Sequence, residues 1–347
     1  MGPALAFPAT LVTALAIDLL FGEPPNRWHP VAWIGSLLLS AKRTLAKGPP
    51  IALLVAGAIV TVGAAALAAT AGLVIARGGG HLGAAGLALE AAALSMCLSV
   101  RGLWSAAAEV AAFLDRGDLP GARAALAWHL VSRRTSDLSG GEVAAAAVES
   151  VAENLTDSIV APALFYLAFG LPGAALYRAV NTADAILGYR EAPLEYFGKI
   201  AARADDLLNL VPARIAALAI VLAAVVTRDA PGRALAILWR DRSRTASPNA
   251  GWTMAAMAGA LQVRLVKRAA YTLGDGPLPT AAHIGRSLRV MAVAAAVVIV
   301  SSIVGWFFLG GPAPGRYDDA IAALERRFVF MGTIAGTGEL TWPSRLD

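Results

Sequence analysis

The sequence is poor in charge and in cysteine, and it lacks several signatures of soluble catalytic sites. Only 15% of its 347 residues are charged, whereas a soluble domain normally has about a quarter. The single cysteine, Cys97, lies in an apolar run of small residues, which excludes an internal disulfide and a thiolate metal cluster. A packed core thiol is expected instead. The motifs GxxxxGKS/T, HExxH and GxSxG are absent, and the four histidines lack the spacing of metal ligands.

Long uncharged runs account for the missing charge. Hydrophobic residues make up 57% of the chain, and the mean hydropathy is +0.63. Segments 51–76 and 290–311 carry no charge and are long enough to cross a hydrocarbon core of ~30 Å. Weaker candidate spans, interrupted by a charge or by proline and glycine, are 4–21, 82–100, 159–177 and 211–227. The first residues lack the pattern of a secretory signal, so 4–21 is expected to be a retained helix.

These patterns predict an all-α, polytopic integral membrane bundle, because few runs show the period-two alternation of strands. A large buried helical bundle in a soluble protein is the alternative. We expect one membrane-embedded domain over 1–347, with N-terminal helices in 1–100 and a motif-rich centre in 101–289. A membrane helix at 290–311 and a tail at 312–347, which has no usable motif, complete the predicted layout.

The net charge of +5 is unevenly distributed. Segment 228–289 has ten basic and three acidic residues, and segment 22–50 is also basic. By the positive-inside tendency both segments face the cytoplasm. Anionic lipid headgroups or an anionic substrate could explain the excess. Nucleic acid is not expected as a partner, since no binding module accompanies the basic residues.

Three carboxylates lie along one predicted helix in segment 142–157. Glu149, Glu153 and Asp157 are spaced four apart, so they project from the same helical face. Like charges in this arrangement repel each other, and either solvent or a bound cation would relieve the repulsion. Hard oxygen ligands suit Mg²⁺. The pattern leaves a solvated acidic face and a metal site both open.

Further polar clusters follow beside apolar stretches. Asn181 and Asp184 lie three apart, and the next cluster contains Arg203, Asp205, Asp206 and Asn209. Polar groups this dense beside membrane segments are costly unless they face water or a cavity, although helix capping explains any single one. A turn at 247–251 leads into a helix whose first N–H groups could hold a phosphate. Since 159–177 is broken by proline and glycine, we expect it to be re-entrant or packed inside. All clusters would then converge on one cytoplasm-facing pocket.

In their order, these clusters resemble the adenosylcobinamide-phosphate synthase family of cobalamin biosynthesis, called CbiB or CobD. The resemblance covers roughly 12–290, and the motifs are specific only in combination. They are Asp18 with FGEPPNRWHPVAWIG (21–35), RGL (101–103), GDLPGAR (117–123), VESVAENLTDSIVAPALFY (148–166), YRAVNTADAILGYR (177–190), EYFGKIAARADDLLNLVPAR (195–214) and SPNAGWTMAAMAGAL (247–261).

The resemblance implies a multi-pass enzyme of the cell (inner) membrane whose active site faces the cytoplasm. It implies that the free propionate carboxylate of adenosylcobyric acid, a corrinoid, is joined in an amide to aminopropanol or its O-phosphate. The product would be adenosylcobinamide or its phosphate. ATP is expected as cosubstrate and Mg²⁺ as cofactor. Membrane lipid is an expected partner, and other corrin-pathway enzymes are further candidates.

The implied chemistry assigns candidate roles to residues of the matching motifs. Activation of a carboxylate requires Mg²⁺, cations around the transferred phosphate, and a base to free the amine. The catalytic candidates are Glu149, Glu153, Asp184 and, as a base, His29. The metal candidates are Glu153, Asp157, Asp205 and Asp206. The candidates for binding ATP or substrate are Lys199, Arg203, Arg214, Asn181 and Asn249.

The chain departs from the family pattern at two places. Residues 132–135 read SRRT where the family commonly has G-R-D-T, so Arg134 replaces an acidic residue and puts a metal role there in doubt. Segment 262–275 is also more basic than the family pattern. Two other functions stay open. One is a transporter or membrane-embedded binding protein for an anionic metabolite, which broken helices would fit. The other is a structural subunit that organises soluble corrin enzymes.

Overall fold

The described part of the chain, residues 3–308 of this computed structural model, is almost wholly helical. The predicted tail and the last residues of the 290–311 span lie outside it. The helices are α1 (Pro3–Phe21), α2 (Pro30–Leu45), α3 (Pro50–Gly80), α4 (Ala84–Ser95), α5 (Val100–Asp115), α6 (Leu119–His129), α7 (Gly140–Leu155), α8 (Ala161–Leu187), α9 (Leu194–Phe197), α10 (Lys199–Leu208), α11 (Leu210–Val226), α12 (Pro231–Asp241), α13 (Ala250–Leu261) and α14 (Ala281–Phe308). A 3-10 turn (Asn26–Trp28), a π-helical segment (Thr156–Val160) and a two-stranded antiparallel hairpin, β1 (Leu265–Lys267) and β2 (Tyr271–Leu273), complete the described elements.

Within residues 3–308, four helical segments are long and apolar enough to cross a membrane, which confirms the prediction of a polytopic helical membrane protein. They are Pro50–Gly80, Ala84–Asp115, Gly140–Leu187 and Ala281–Phe308. The predicted 211–227 span is too short alone and meets the criteria only together with α10, from which it is bent by 50°. The predicted 4–21 run lies within helix α1, Pro3–Phe21.

The segment Gly140–Leu187 is a broken helix. Gly170 interrupts α8 with φ 64° and ψ −165°, a conformation open to glycine because it has no Cβ. In its most apolar stretch of 18 residues, 56% is buried inside the protein, whereas 33% of the corresponding stretch of α3 is buried. The region predicted to be broken or packed inside is therefore both interrupted and the most protein-covered of the candidate spans.

Helix α3 packs closely on the second half of α8 and on α9. Apart from Leu53, its buried residues are small, among them Gly57, Ala64 and Gly72. A Cβ on Gly57 would lie 1.8 Å from the Phe197 carbonyl oxygen, and one on Gly72 would lie 2.9 Å from that of Leu171. Small residues allow such close approach between helices in a membrane. Thus α8 beyond the break runs antiparallel to α3, and its carboxyl end lies near the start of α3.

Helices α1 and α5 cap each other across a long sequence separation. The Asp18 carboxylate accepts the N–H groups of Val100 and Arg101 at 2.9 and 3.1 Å, which satisfies the first turn of α5. Arg101 in turn donates to the carbonyl oxygens of Leu19 and Leu20 at the end of α1. This exchange explains why an acidic residue interrupts the first apolar run.

The hairpin formed by α12 and α13 is held to the following turn by an ion-pair network. Arg240 forms a bidentate pair with Asp241, with both distances 2.8 Å, and Arg244 lies 3.2 Å from the same carboxylate. Burial acts to raise the pKa of Asp241, but the bonds from Arg240 and from the Gly274 N–H hold that pKa below its ordinary value. The network fixes the end of α12 against the turn that follows β2.

Candidate functional site: a carboxylate-lined cavity

A polar cavity lies where α7, the π-helical segment, α10, α11 and the start of α13 meet. Its empty volume is about 270 Å³, including space open to solvent. The lining residues are Glu153, Thr156, Asp157, Asp205, Asn209, Ala213, Ser247, Asn249, Ala250 and Thr253. Four predicted site residues, Glu153, Asp157, Asp205 and Asn249, therefore share one cavity although three separate motifs supply them.

The π-helical segment places Asp157 in this cavity. Helix α7 begins with a capping box between Ser139 and Glu142 and is almost completely buried along Val143–Val151. The chain then widens into the π-helix Thr156–Val160 before α8 begins. Single-turn π segments inside α-helices occur frequently at functional sites. The sequence analysis assumed a regular helix through Asp157 and missed this change.

Asp205 is held by two side-chain amides. Its Oδ1 accepts from Asn181 Nδ2 and its Oδ2 from Asn209 Nδ2, both at 3.1 Å. Asn209 also accepts a 2.9 Å hydrogen bond from the buried Tyr177 hydroxyl. Among residues 3–308, these two amides are the hydrogen-bond partners of the Asp205 carboxylate, and no cation pairs with it.

The start of α13 is tied to α10 and α11. Asn249 Nδ2 donates to the Asp206 carbonyl oxygen, and Arg214 Nη1 donates to Asn249 Oδ1, both at 2.7 Å. Ser247 Oγ accepts from the N–H groups of Asn249 and Ala250 at 3.2 and 3.4 Å. Two N–H groups of the turn predicted to hold a phosphate therefore already bond to Ser247, and the Asn249 amide makes one hydrogen bond through its oxygen and one through its nitrogen.

The remaining predicted residues lie around the cavity rather than in its lining. The Asp184 carboxyl interacts electrostatically with Glu153, Asp205 and Asp206. The Arg203 side chain is 71% exposed and lies 3.8 Å from Asp206, so it points largely to solvent. Lys199 is exposed and its Nζ lies 5.6 Å from the ring centre of Tyr196. The structure does not bring Lys199 or Arg203 into the cavity.

His29 lies outside the cavity lining and caps α2. Its Nδ1 accepts the Val31 N–H at 3.2 Å, while Nε2 lies 3.9 Å from Glu23 Oε2. Burial lowers the pKa of His29, opposed by the Glu23 charge and reinforced by Arg178. In the neutral ring the only nitrogen lone pair is then engaged by Val31, so the geometry provides a cap and no free base.

The sequence analysis missed several residues of the site, of which Arg178 is the most notable. Its Nη1 lies 3.5 Å from both Ser158 Oγ and Asn181 Oδ1, and its buried Nε has no hydrogen-bond partner within the described part of the chain. Its charge acts on both Asp157 and His29, so it links the cavity to the turn before α2. An arginine within an apolar helix is by default a functional candidate, and that signal could have identified it.

The donors of the cavity suit Mg²⁺ in its usual mode of binding. Among the described residues, no group of three or more histidine, cysteine, aspartate or glutamate side chains could hold a metal ion by itself. Mg²⁺ usually takes one or two carboxylates, with water and substrate phosphates as its other ligands. Glu153, Asp157 and Asp205 offer hard oxygen atoms, and the buried Thr156 Oγ1 has no hydrogen-bond partner in the described range 3–308. This donor set fits an ion bound together with a phosphate.

These features define a multi-pass helical membrane protein with a carboxylate-lined cavity between broken helices. A family model described as CobD/Cbib protein matches residues 11–309, and the chain belongs to this family. Proteins of the family are cobalamin biosynthesis proteins, which is consistent with an enzyme acting on a corrinoid.

The curated relatives are similar along most of their length. The cobalamin biosynthesis protein CobD of Dehalococcoides mccartyi is 43% identical over 77% of this chain and 86% of its own. The probable CobD of Methanothermobacter thermautotrophicus is 41% identical over the same shares. The CobD of Klebsiella pneumoniae is 36% identical over 86% of this chain and 98% of its own. No solved structure matches the chain significantly.

Proposed function

We propose that the protein joins the propionate carboxylate of adenosylcobyric acid to aminopropanol or its O-phosphate, in an amide-forming reaction that depends on ATP and Mg²⁺. The observation that carries this proposal is the convergence of Glu153, Asp157, Asp205 and Asn249 on one cavity in a chain of the CobD/Cbib family. Such an enzyme is an ATP-dependent ligase.

The reaction has two steps, a phosphoryl transfer from ATP and an acyl transfer to the amine. A carboxylate oxygen of the corrinoid attacks the γ-phosphorus of ATP, which releases ADP and leaves an acyl phosphate. The amine nitrogen then attacks the acyl carbon, phosphate leaves, and one proton passes from the nitrogen to a base. Bound Mg²⁺ would stabilise the charge on the transferred phosphoryl group.

Residues in and around the cavity can be assigned roles as bases, metal ligands and cations in these two steps. Glu153 and Asp157 are the candidate bases, because both open into the cavity. Asp205, oriented by its two amides, is a candidate metal ligand with Asp157. Arg214 is a candidate cation because it donates to the lining residue Asn249, and Arg178 is another because its charge acts on Asp157. Asp184 would act through the neighbouring carboxylates.

The packing of α3 supports a cytoplasmic opening of the cavity. Gly57, near the start of α3, contacts Phe197, and Gly198 contacts the Leu187 carbonyl at the end of α8. Asn181 and Asp184 therefore lie near the end of α3 that follows the basic segment 22–50. By the positive-inside tendency that end faces the cytoplasm, where ATP is available.

Product analysis tests the proposal directly. The purified protein would be incubated with adenosylcobyric acid, ATP, Mg²⁺ and each amine in turn, and the corrinoids analysed by mass spectrometry. We expect the mass of the amide and one ADP per product, with neither formed when the corrinoid or the amine is omitted. Absence of amide with both amines would refute the ligase.

A transporter or binding protein for an anionic metabolite is the second candidate. The break at Gly170 and the 50° bend between α10 and α11 favour it, because discontinuous helices beside a polar site are common in transporters. The same incubation separates the two functions. A transporter would move or bind the corrinoid without forming the amide.

A further inference from the structure

Two neighbouring residues of α8, Tyr177 and Arg178, each reach the Asp205 carboxylate through an asparagine. The Tyr177 hydroxyl donates to Asn209 Oδ1 at 2.9 Å, and Asn209 Nδ2 donates to Asp205 Oδ2 at 3.1 Å. Arg178 Nη1 lies 3.5 Å from Asn181 Oδ1, and Asn181 Nδ2 donates to Asp205 Oδ1 at 3.1 Å. Each oxygen of the carboxylate is therefore reached by one arm, which consists of an asparagine and the α8 residue behind it.

The charge of Asp205 dictates how the Asn209 amide is turned. An ionised carboxylate only accepts hydrogen bonds, so the asparagine must present its NH2 group to it. The amide oxygen then points away from Asp205, and a buried oxygen needs a donor on that side. The Tyr177 hydroxyl is this donor for Asn209, which is only 2% exposed. Loss of the hydroxyl therefore removes the bond that favours the orientation required by Asp205.

The ring of Tyr177 is fixed by packing. The residue is fully buried, and its ring stacks on that of Phe165 with the centres 5.1 Å apart. The position of the hydroxyl is thus set by α8 and its neighbours before any ligand enters the cavity. Side chains whose rotamers are locked in this way hold the groups that contact a ligand in their working geometry.

Asp205 is one of several oxygen donors that face the cavity. Glu153, Asp157 and Thr156 line it as well, and Thr156 Oγ1 is a buried oxygen without a hydrogen-bond partner among residues 3–308. Mg²⁺ demands near-ideal octahedral geometry, so the orientation of each protein ligand affects how tightly it binds. Loss of a hydrogen-bonding group behind a metal ligand typically costs about 10–100-fold in metal affinity.

We propose that Tyr177 is a positioning residue for a divalent cation in this cavity. Through Asn209 it holds the Asp205 carboxylate in the orientation that binds the ion, while Asn181 orients the other oxygen. This inference deepens the proposed function by naming the residue behind a metal ligand, and it rests on that function for the identity of the ion. It gives Tyr177 a role in metal affinity and no contact with the substrate.

The test compares Tyr177→Phe with Tyr166→Phe. Tyr166 lies on the same helix, is 1% exposed and donates a 3.0 Å hydrogen bond to Glu90, which does not line the cavity, so it controls for the loss of a buried hydroxyl. Binding of Mn²⁺, a spectroscopic substitute for Mg²⁺, would be measured by electron paramagnetic resonance on the purified full-length protein. We expect Tyr177→Phe to weaken Mn²⁺ binding by about tenfold or more, and Tyr166→Phe to stay within about twofold of the wild type.

A kinetic measurement separates positioning from a general loss of structure. In Tyr177→Phe the concentration of free Mg²⁺ that gives half the maximal rate of amide formation should rise by the same factor as the Mn²⁺ dissociation constant. The rate at saturating Mg²⁺ and the KM for the corrinoid should stay near the wild-type values. Asn209→Ser breaks the same arm at its middle residue, so adding Tyr177→Phe to it should weaken Mn²⁺ binding no further.

Several results would overturn the role of Tyr177. They are unchanged Mn²⁺ binding in Tyr177→Phe, equal weakening in both tyrosine variants, additive losses in the double variant, a rate that is lowered equally at every Mg²⁺ concentration, and a wild-type protein that binds no Mn²⁺. If the wild type binds Mn²⁺ and Tyr177→Phe weakens it, but no amide forms with either amine, the inference stands and the proposed function fails. If Tyr177→Phe does not fold, Asn209→Ser decides the question, since unchanged Mn²⁺ binding in that variant overturns the inference.

Discussion

The carboxylates of the cavity differ in how much of their bonding capacity the protein uses. Asp205 accepts from two amides, and Asp206 accepts from Ser247 and lies near Arg203. Glu153 has no hydrogen bond or ion pair with any of the described residues, and its side chain is open to the cavity. A carboxylate in this state is available to a substrate proton or to a metal ion.

Glu153→Gln should therefore abolish most of the activity while preserving the fold. Glutamine has nearly the same shape but cannot accept a proton or bind Mg²⁺ strongly, so we expect turnover to fall by about 100-fold or more. Glu109→Gln is the matched control, since Glu109 is 49% exposed and pairs with His129 on α6. Amide formation would be measured for both variants. Activity within a few fold of the wild type in Glu153→Gln would remove this residue from the mechanism.

His29 should make the stability of the protein depend on pH. Its pKa is lowered in the folded state, chiefly by burial, so below the ordinary value of about 6.5 the unfolded chain binds the proton more readily. The stabilisation is fully present above that pH and is lost as the pH falls towards the folded-state pKa. Asparagine can cap α2 without titrating, so His29→Asn should reduce the fall in melting temperature between pH 7.5 and 5.5.

His81 provides the control for this measurement. It is exposed in the turn after α3, so His81→Asn should keep the pH profile of the wild type. Unfolding can be followed with a thiol-reactive dye, because Cys97 is the only cysteine and is 7% exposed. Identical pH profiles for His29→Asn and the wild type would show that another group causes the dependence.

At the scale of elements, the small face of α3 supports the helices that carry the site. A methyl group at Gly57 would collide with the Phe197 backbone, whereas nothing lies within 4 Å of a Cβ at Gly63 on the same helix. Gly57→Ala should destabilise the protein by about 1–3 kcal/mol and reduce activity by displacing α9 and α10. Gly63→Ala should be neutral or slightly stabilising, because alanine favours a helix. Equal melting temperatures for the two variants would contradict this packing.

The positions of the helices were more predictable from the sequence than the geometry of their interruptions. The uncharged runs 51–76 and 290–311 identified α3 and α14, because length and hydropathy are local properties. The proline and glycine pattern likewise identified the interruption near Gly170. The π-helical segment was missed, since nothing in TDSIV distinguishes it from a regular helix. Its geometry depends on tertiary packing around Asp157.

The candidate site was partly predictable for a similar reason. Charged and amide residues beside apolar runs are conspicuous, and five of them line one cavity. Their individual partners were not predictable. Nothing in the local sequence shows that Arg203 points to solvent, that Asn249 bonds to Arg214 and Asp206, or that His29 caps α2.

For the whole molecule, the orientation of α3 predicts which loops share a side of the membrane. Lys47 and His81 flank this helix and should lie on opposite sides. Ser243 lies in the exposed turn between α12 and α13, near the site, and should share the cytoplasmic side with Lys47. Lys47→Cys, Ser243→Cys and His81→Cys, each in a chain without Cys97, would be labelled in intact cells and in inverted vesicles.

A membrane-impermeant maleimide should label the first two only in inverted vesicles and the third in intact cells. Labelling of Lys47→Cys and Ser243→Cys from opposite sides would rule out a shared cytoplasmic opening. Labelling of both variants from outside would show that the orientation is the opposite one, with the cavity on the side away from cytoplasmic ATP.

The mutual capping of α1 and α5 also has a consequence for biosynthesis. The Asp18 carboxylate and its Val100 partner are 82 residues apart, and so are the Leu19 carbonyl and Arg101. While the ribosome is still producing α2, α3 and α4, the carboxyl end of α1 and the Asp18 charge have no native partners. The end of α1 and the start of α5 can therefore cap each other only after α5 has been synthesised. A chimera that exchanges only one of the two motifs would leave both helix ends uncapped.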